Sequence, residues 1–168
     1  WLWGLARIKE GGMVNEIINV VNGTHNKISF ALSFGGDRFP LFEPVDALML
    51  AQSDENTKAI VYYGELGGED EYKLAELIEV GHVSKKVICY VAGTISDLFE
   101  TPPQFGHAKA MAEKLEESAK AKREALRKAG AIVPNSFSEF VEEISNLPDF
   151  GFESNDATIE IMDDRKHA

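Results

Sequence analysis

One of the four histidines in this 168-residue chain stands apart by its setting. His107 lies within Thr101-Pro102-Pro103-Gln104-Phe105-Gly106-His107-Ala108-Lys109-Ala110. The two prolines bar helix ahead of it, because proline lacks an N–H and constrains the residue before it. Gly106 frees the backbone, and alanine follows on the C-terminal side, so little bulk surrounds the imidazole. The setting is that of a loop tip just before a helix. On these residues alone His107 reads as a solvated or capping histidine, or as a reactive one if a carboxylate comes within reach. Glu65, inside Gly64-Glu65-Leu66-Gly67-Gly68, is such a carboxylate. It can orient an imidazole, fix its tautomer and stabilise its cation. It can equally serve only the dipole of the helix that follows, and Asp37 in Gly35-Gly36-Asp37 has the same two readings.

Glycine pairs mark three places where an anion could meet bare backbone. They are Gly11-Gly12, Gly35-Gly36 and Gly67-Gly68, each near a predicted helix start. Paired glycines let an anion approach free N–H groups, and the helix dipole favours negative charge there. A single pair is an ordinary tight turn; three on one edge point to a shared anion site. No Gly-x-x-x-x-Gly-Lys-[Ser/Thr] loop, Gly-x-Gly-x-x-Gly fingerprint or Gly-x-Ser-x-Gly elbow occurs. No His/Cys/Asp spacing suits zinc, so no metal ligand is expected. His25 and His82 lie in polar turns and His167 in the tail.

These residues need a scaffold that brings distant loops together, and the hydrophobic pattern supplies one. Strands are expected at Leu2 to Ile8, Ile28 to Phe34, Lys58 to Tyr63, Lys85 to Ala92 and Ala131 to Val133. Helices are expected at about Met13 to Asn22, Pro44 to Gln52, Glu69 to Val80, Ala108 to Ala129 and Ser136 to Asn146. Ser136-Phe137-Ser138-Glu139 has the form of a capping box. Continuous apolar strands alternating with helices predict an α/β fold, an open, flavodoxin-like parallel sheet doubly wound with helices on both faces. In such folds the loops leaving the carboxyl ends of the strands form the ligand crevice. All the candidate residues lie on those loops. The pattern fades after Leu147. Residues 1–147 are expected to form the domain and 148–168 a linker or tail, with Thr158 to Met162 as a possible short strand.

Composition narrows the class. Hydrophobic residues make up 44%, and the length suits one domain with a sizeable core. No apolar run is long enough to cross a bilayer. The net charge of −11 repels phosphate backbones, which argues against nucleic-acid binding. The lone Cys89 excludes an intramolecular disulfide and fits a reducing, cytoplasmic setting. It sits in an apolar strand pattern and reads as a small buried hydrophobe. The chain begins without Met and is expected to be part of a larger protein.

Gly35-Gly36-Asp37-Arg38-Phe39-Pro40, Gly64-Glu65-Leu66-Gly67-Gly68 and Gly106-His107-Ala108, in that order, resemble the C-terminal ligase domain of the α-type subunit of ADP-forming acyl-CoA synthetases. That group includes succinyl-CoA synthetase and ATP-citrate lyase. Gly11-Gly12-Met13-Val14-Asn15-Glu16, Glu71-Tyr72-Lys73 and Ala121-Lys122-x-x-Ala125-Leu126-x-x-Ala129-Gly130 are similar to the branch of ATP-citrate lyase and citryl-CoA synthetase. The resemblance spans about Leu5 to Ile144. It implies that His107 is transiently phosphorylated from ATP and passes the phosphoryl group to citrate, whose acyl phosphate is captured by coenzyme A. Citryl-CoA then goes on to acetyl-CoA and oxaloacetate. It implies that Glu65 holds the imidazole and that Gly11, Gly12, Met13, Gly67, Gly68 and Gly106 line the phosphate site. Gly35, Gly36 and Asp37 fall at the substrate edge. ATP with Mg2+ and coenzyme A would be bound mainly by other parts, an ATP-grasp subunit or domain and a Rossmann domain, in an oligomer. The chain departs from the family pattern at Glu10, at Lys109 and at Leu41-Phe42-Glu43. Two alternatives follow: a succinyl-CoA synthetase-type ligase for another carboxylate, or a non-catalytic assembly domain.

Overall fold

The computed structural model describes residues 2–6, 11–34, 42–65, 67–93 and 118–150. Nine elements alternate along them. They are β1 (Leu2–Ala6), α1 (Gly11–Asn22), β2 (Ile28–Leu32), α2 (Pro44–Ser53), β3 (Ala59–Gly64), α3 (Asp70–Glu79), β4 (Lys86–Val91), α4 (Ala119–Ala129) and α5 (Phe137–Ser145). The strands form one parallel sheet in the order β2-β1-β3-β4. Ile132 adds a parallel bridge to Ile88 on the far side of β4, a rudimentary fifth position. The resulting order is that of the flavodoxin-like class, as the alternation predicts.

Successive side chains along a strand face opposite sides of the sheet. In β3 and β4 they divide between two cores. Ile60, Tyr62, Val87, Cys89 and Val91 face Ala47, Leu48 and Ala51 of α2, Leu74 and Ala75 of α3, and Leu126 of α4. Ala59, Val61 and Ile88 face Ile17 and Val21 of α1 and Phe140 and Ile144 of α5. Burial on both sides explains why these strands read as unbroken apolar runs. Cys89 is fully buried, as expected. On the second face Tyr63, Tyr90, Phe137 and Phe140 form an aromatic group with ring centroids 5.7–6.5 Å apart.

Several boundaries differ from the sequence reading. α1 begins at Gly11, so Gly11 and Gly12 form its first turn instead of preceding it. The expected strand over Ala131–Val133 shrinks to one bridge. The Ala131 N–H turns back to Leu126 O, leaving only Ile132 to pair with β4, and Pro134 has no N–H to continue the ladder. Ser136 caps α5 by accepting from the Glu139 N–H, while the Glu139 carboxylate accepts from Asn135 N instead of Ser136 N. Leu147 is buried, and Phe150 packs against the second core. The start of the expected 108–129 helix, the Gly35–Asp37 and His107 loops and the possible strand at 158–162 lie outside the described residues. Among the described residues no helix is long and apolar enough to cross a membrane.

Candidate functional site

The parallel register sets the site. Ala6 is level with Tyr63, and Gly64 with Val91, so β1, β3 and β4 release the chain at one edge. Each exit carries a piece of the expected chemistry. After β1 comes the first turn of α1, Gly11-Gly12-Met13, at the positive end of the helix dipole. After β3 come Glu65, Gly67 and Gly68. After β4 comes the segment that contains His107. That segment leaves β4 at Gly93 and rejoins the described chain at Ser118, the N-cap of α4, whose Oγ accepts from Ala121 N.

The β3 exit is built around a buried ion pair. Gly64 O accepts from Ala92 N at 2.8 Å, which extends the sheet by one bond. A Cβ at Gly64 would overlap Glu71 Oε1 and lie 2.9 Å from Tyr62 Cε1, so only glycine lets the strand pass this close. Gly67 and Gly68 follow with φ of 84° and 71°. Two successive left-handed residues reverse the chain into α3, a path that side chains disfavour. Glu71, in the first turn of α3, is fully buried. Its Oε1 accepts from Tyr62 Oη at 3.1 Å and its Oε2 from Lys122 Nζ at 2.5 Å. Lys122, on α4, is also fully buried. Its ammonium makes two further bonds, to Glu65 O at 3.0 Å and Gly67 O at 2.7 Å.

The β4 exit is held by the next residue of the same helix. Arg123 Nε donates to Val91 O at 2.9 Å and Nη1 to Asn135 O at 3.3 Å. Its guanidinium lies 4.8 Å from the Tyr90 ring centroid. Arg127 then binds Val133 O and Asn135 Oδ1, fixing the turn into α5. Despite the chain's net charge of −11, two cations are therefore buried at this edge, one at each of two adjacent strand exits. Glu65 itself is half-buried. Burial chiefly, with smaller contributions from Tyr90 and the charge of Glu65, pushes the Tyr63 phenol above its ordinary pKa.

Of the sequence candidates, the described residues bring Glu65, Gly67, Gly68, Gly11, Gly12 and Met13 to one edge. Gly35, Gly36, Asp37, Gly106 and His107 lie outside them. Sequence reasoning missed Glu71 and Lys122 as a pair. In the sequence Glu71 figures only within Glu71-Tyr72-Lys73, and Lys122 only within the Ala121-Lys122 motif. A signal was present: Glu71 falls in register with Leu74 and Ala75, and Lys122 with Ala119 and Leu126, so opposite charges occupy two apolar stripes. Among the described residues no group of three or more His, Cys, Asp or Glu could hold a metal.

The fold and the sequence have counterparts in known proteins. Residues 8–132 match the family model described as CoA-ligase. The chain is 39% identical over 139 residues to ATP-citrate synthase of Mus musculus, covering 83% of this chain and 13% of that protein. It is 40% identical over 137 residues to the probable ATP-citrate synthase of Dictyostelium discoideum, covering 82% and 22%. It thus spans less than a quarter of the length of each of these relatives. Among solved structures, ATP citrate lyase from Methanothrix soehngenii, in complex with citrate and coenzyme A, superposes with a TM-score of 0.80 at 35% identity, over 86% of this chain and 23% of that one. With a matching fold and a family match over residues 8–132, most of its length, the chain belongs to the CoA-ligase family.

Proposed function

We propose that this chain is the phosphohistidine-bearing ligase domain of an ATP-citrate lyase or citryl-CoA synthetase, acting within a larger cytoplasmic assembly. The similarity to an ATP citrate lyase over most of the chain carries this reading. The geometry supports it: both described ends of the segment that contains His107 are fixed at the edge where Glu65 emerges. His107 acts as nucleophile. A neutral ring nitrogen attacks the γ-phosphorus of ATP, and ADP leaves with the electrons of the broken P–O bond. A citrate carboxylate oxygen then takes the phosphoryl group and returns the ring to its neutral form. The coenzyme A thiol displaces phosphate to give citryl-CoA, which a further module cleaves to acetyl-CoA and oxaloacetate. Glu65 accepts from the other ring nitrogen and stabilises the charge that develops on the imidazole. The first N–H groups of α1, at Gly11, Gly12 and Met13, receive the phosphate together with Gly67, Gly68 and Gly106. Gly35, Gly36 and Asp37 border the substrate. ATP with Mg2+ and coenzyme A are held mainly by an ATP-grasp partner and a Rossmann domain.

The full-length protein incubated with γ-labelled ATP and its partner is expected to carry an acid-labile, alkali-stable phosphate. His107→Ala should abolish it. Wild-type protein without label, or label retained in His107→Ala, sinks the reading. Citryl-CoA as the product that forms fastest across a panel of carboxylates would separate citrate from succinate and other acids.

A further inference from the structure

We infer that Lys122 is a positioning residue for this reaction: its buried ammonium fixes the backbone that carries Glu65 and the Gly67-Gly68 turn. The inference rests on the proposed pairing of Glu65 with His107. An ammonium has three N–H donors. Lys122 directs them to three acceptors, the carbonyls of Glu65 and Gly67 and the Glu71 carboxylate. Two of the three are main-chain atoms of the loop, 57 and 55 residues away in sequence. Their effect is local. Pinning Glu65 O fixes the Cα from which the Glu65 carboxylate swings. Pinning Gly67 O fixes a trans peptide plane, so the N–H of Gly68 points away from Lys122. The cation thereby decides which way an amide of the candidate phosphate site faces.

Glu71 and Tyr62 hold the ammonium in place, and Gly64 leaves room for the carboxylate to do so. A buried ion pair is weak evidence for stability, because apolar side chains of similar volume fill such a space without the cost of desolvating charge. What apolar side chains cannot supply is the pair of bonds to the loop carbonyls. Lys122 sits in the Ala121-Lys122-x-x-Ala125-Leu126 motif, which none of the expected site roles explains. The buried face of α4 gives that motif a task at the β3 exit.

The test uses the full-length chain with its ATP-binding partner. The variant K122M/E71Q removes the ammonium while leaving no unpaired buried charge. Two measurements are made. Amide exchange of the 64–70 segment should speed up about tenfold in K122M/E71Q, with β3 and β4 otherwise unchanged. Phosphate labelling should fall about tenfold in K122M/E71Q and about tenfold in Glu65→Gln, but adding Glu65→Gln to K122M/E71Q should cost less than about twofold more, since both act through one carboxylate. A merely structural Lys122 would let Glu65→Gln cost the same factor in both backgrounds. That multiplicative result, or unchanged exchange in the 64–70 segment, overturns the assignment while leaving the phosphohistidine reading intact. Wild-type labelling that Glu65→Gln does not change overturns the role of Glu65, and Lys122's role with it.

Discussion

Removing Lys122 alone takes from the fully buried Glu71 carboxylate its ion pair with the Lys122 ammonium. K122M is therefore expected to cost about 3–5 kcal/mol, the usual penalty for breaking a buried ion pair by removing one partner. K122M/E71Q should recover at least about half of that loss, because no charge is then left unpaired. Denaturant midpoints at constant slope measure both, and equal losses in the two variants would contradict the pairing. Cys89 makes the opposite case, a reactive group silenced by its place. Burial, and secondarily the charge of Glu71, push its thiol well above the ordinary range. The folded protein should react with a thiol reagent only as fast as it opens, even at mildly alkaline pH. Rapid modification of native protein would refute the burial. At this scale the sequence was readable for Cys89 and not for Lys122. Cys89 lies in an unbroken apolar run, so its neighbours along the chain describe its surroundings. Lys122 meets Glu71 across 51 residues, a separation that its neighbours along the chain do not reveal.

At the scale of elements, the turn between β3 and α3 is the most constrained piece. Gly67 and Gly68 both have left-handed φ. Gly68→Ala should cost about 1–2 kcal/mol, the penalty for one side chain in that region, and should lower the melting temperature accordingly. A neutral Gly68→Ala would mean that the turn takes another path. The alternation of strands and helices was legible because each strand is apolar on both faces and each helix keeps one apolar stripe. Termini were less legible, for identifiable reasons. Glycines 11 and 12 read as a turn before a helix, yet they form its first turn. Ala131–Val133 read as a strand, yet the Ala131 N–H is spent on Leu126. The hydrophobic pattern does not say which backbone groups are already engaged. At the site, the glycine-bounded exits and Glu65 were visible in the sequence, while the two α4 cations that brace them were not.

At the scale of the described molecule, α4 ties two strand exits together. The segment before α4 leaves the sheet at Gly93, and α4 returns to bind both the β3 and the β4 exits through Lys122 and Arg123. Cutting the chain makes the consequence plain. If it is opened at an engineered protease site between Gly93 and Ser118, one piece keeps Glu71 without its cation and the other keeps Lys122 without its anion. Each piece alone must expose or neutralise a charge, and expose apolar faces of α4, α5 and the sheet, that the intact fold buries, so the two pieces are expected to associate. Cleaved wild-type protein should run as a single species on gel filtration and complement in trans when the pieces are separated and mixed. Cleaved K122M should fall apart. Separation of the wild-type pieces under native conditions would show that the ion pair does not join them. The bonds that hold the β3 and β4 exits to α4 run across space and not along the chain, so a nick between Gly93 and Ser118 is expected to leave two complementary halves.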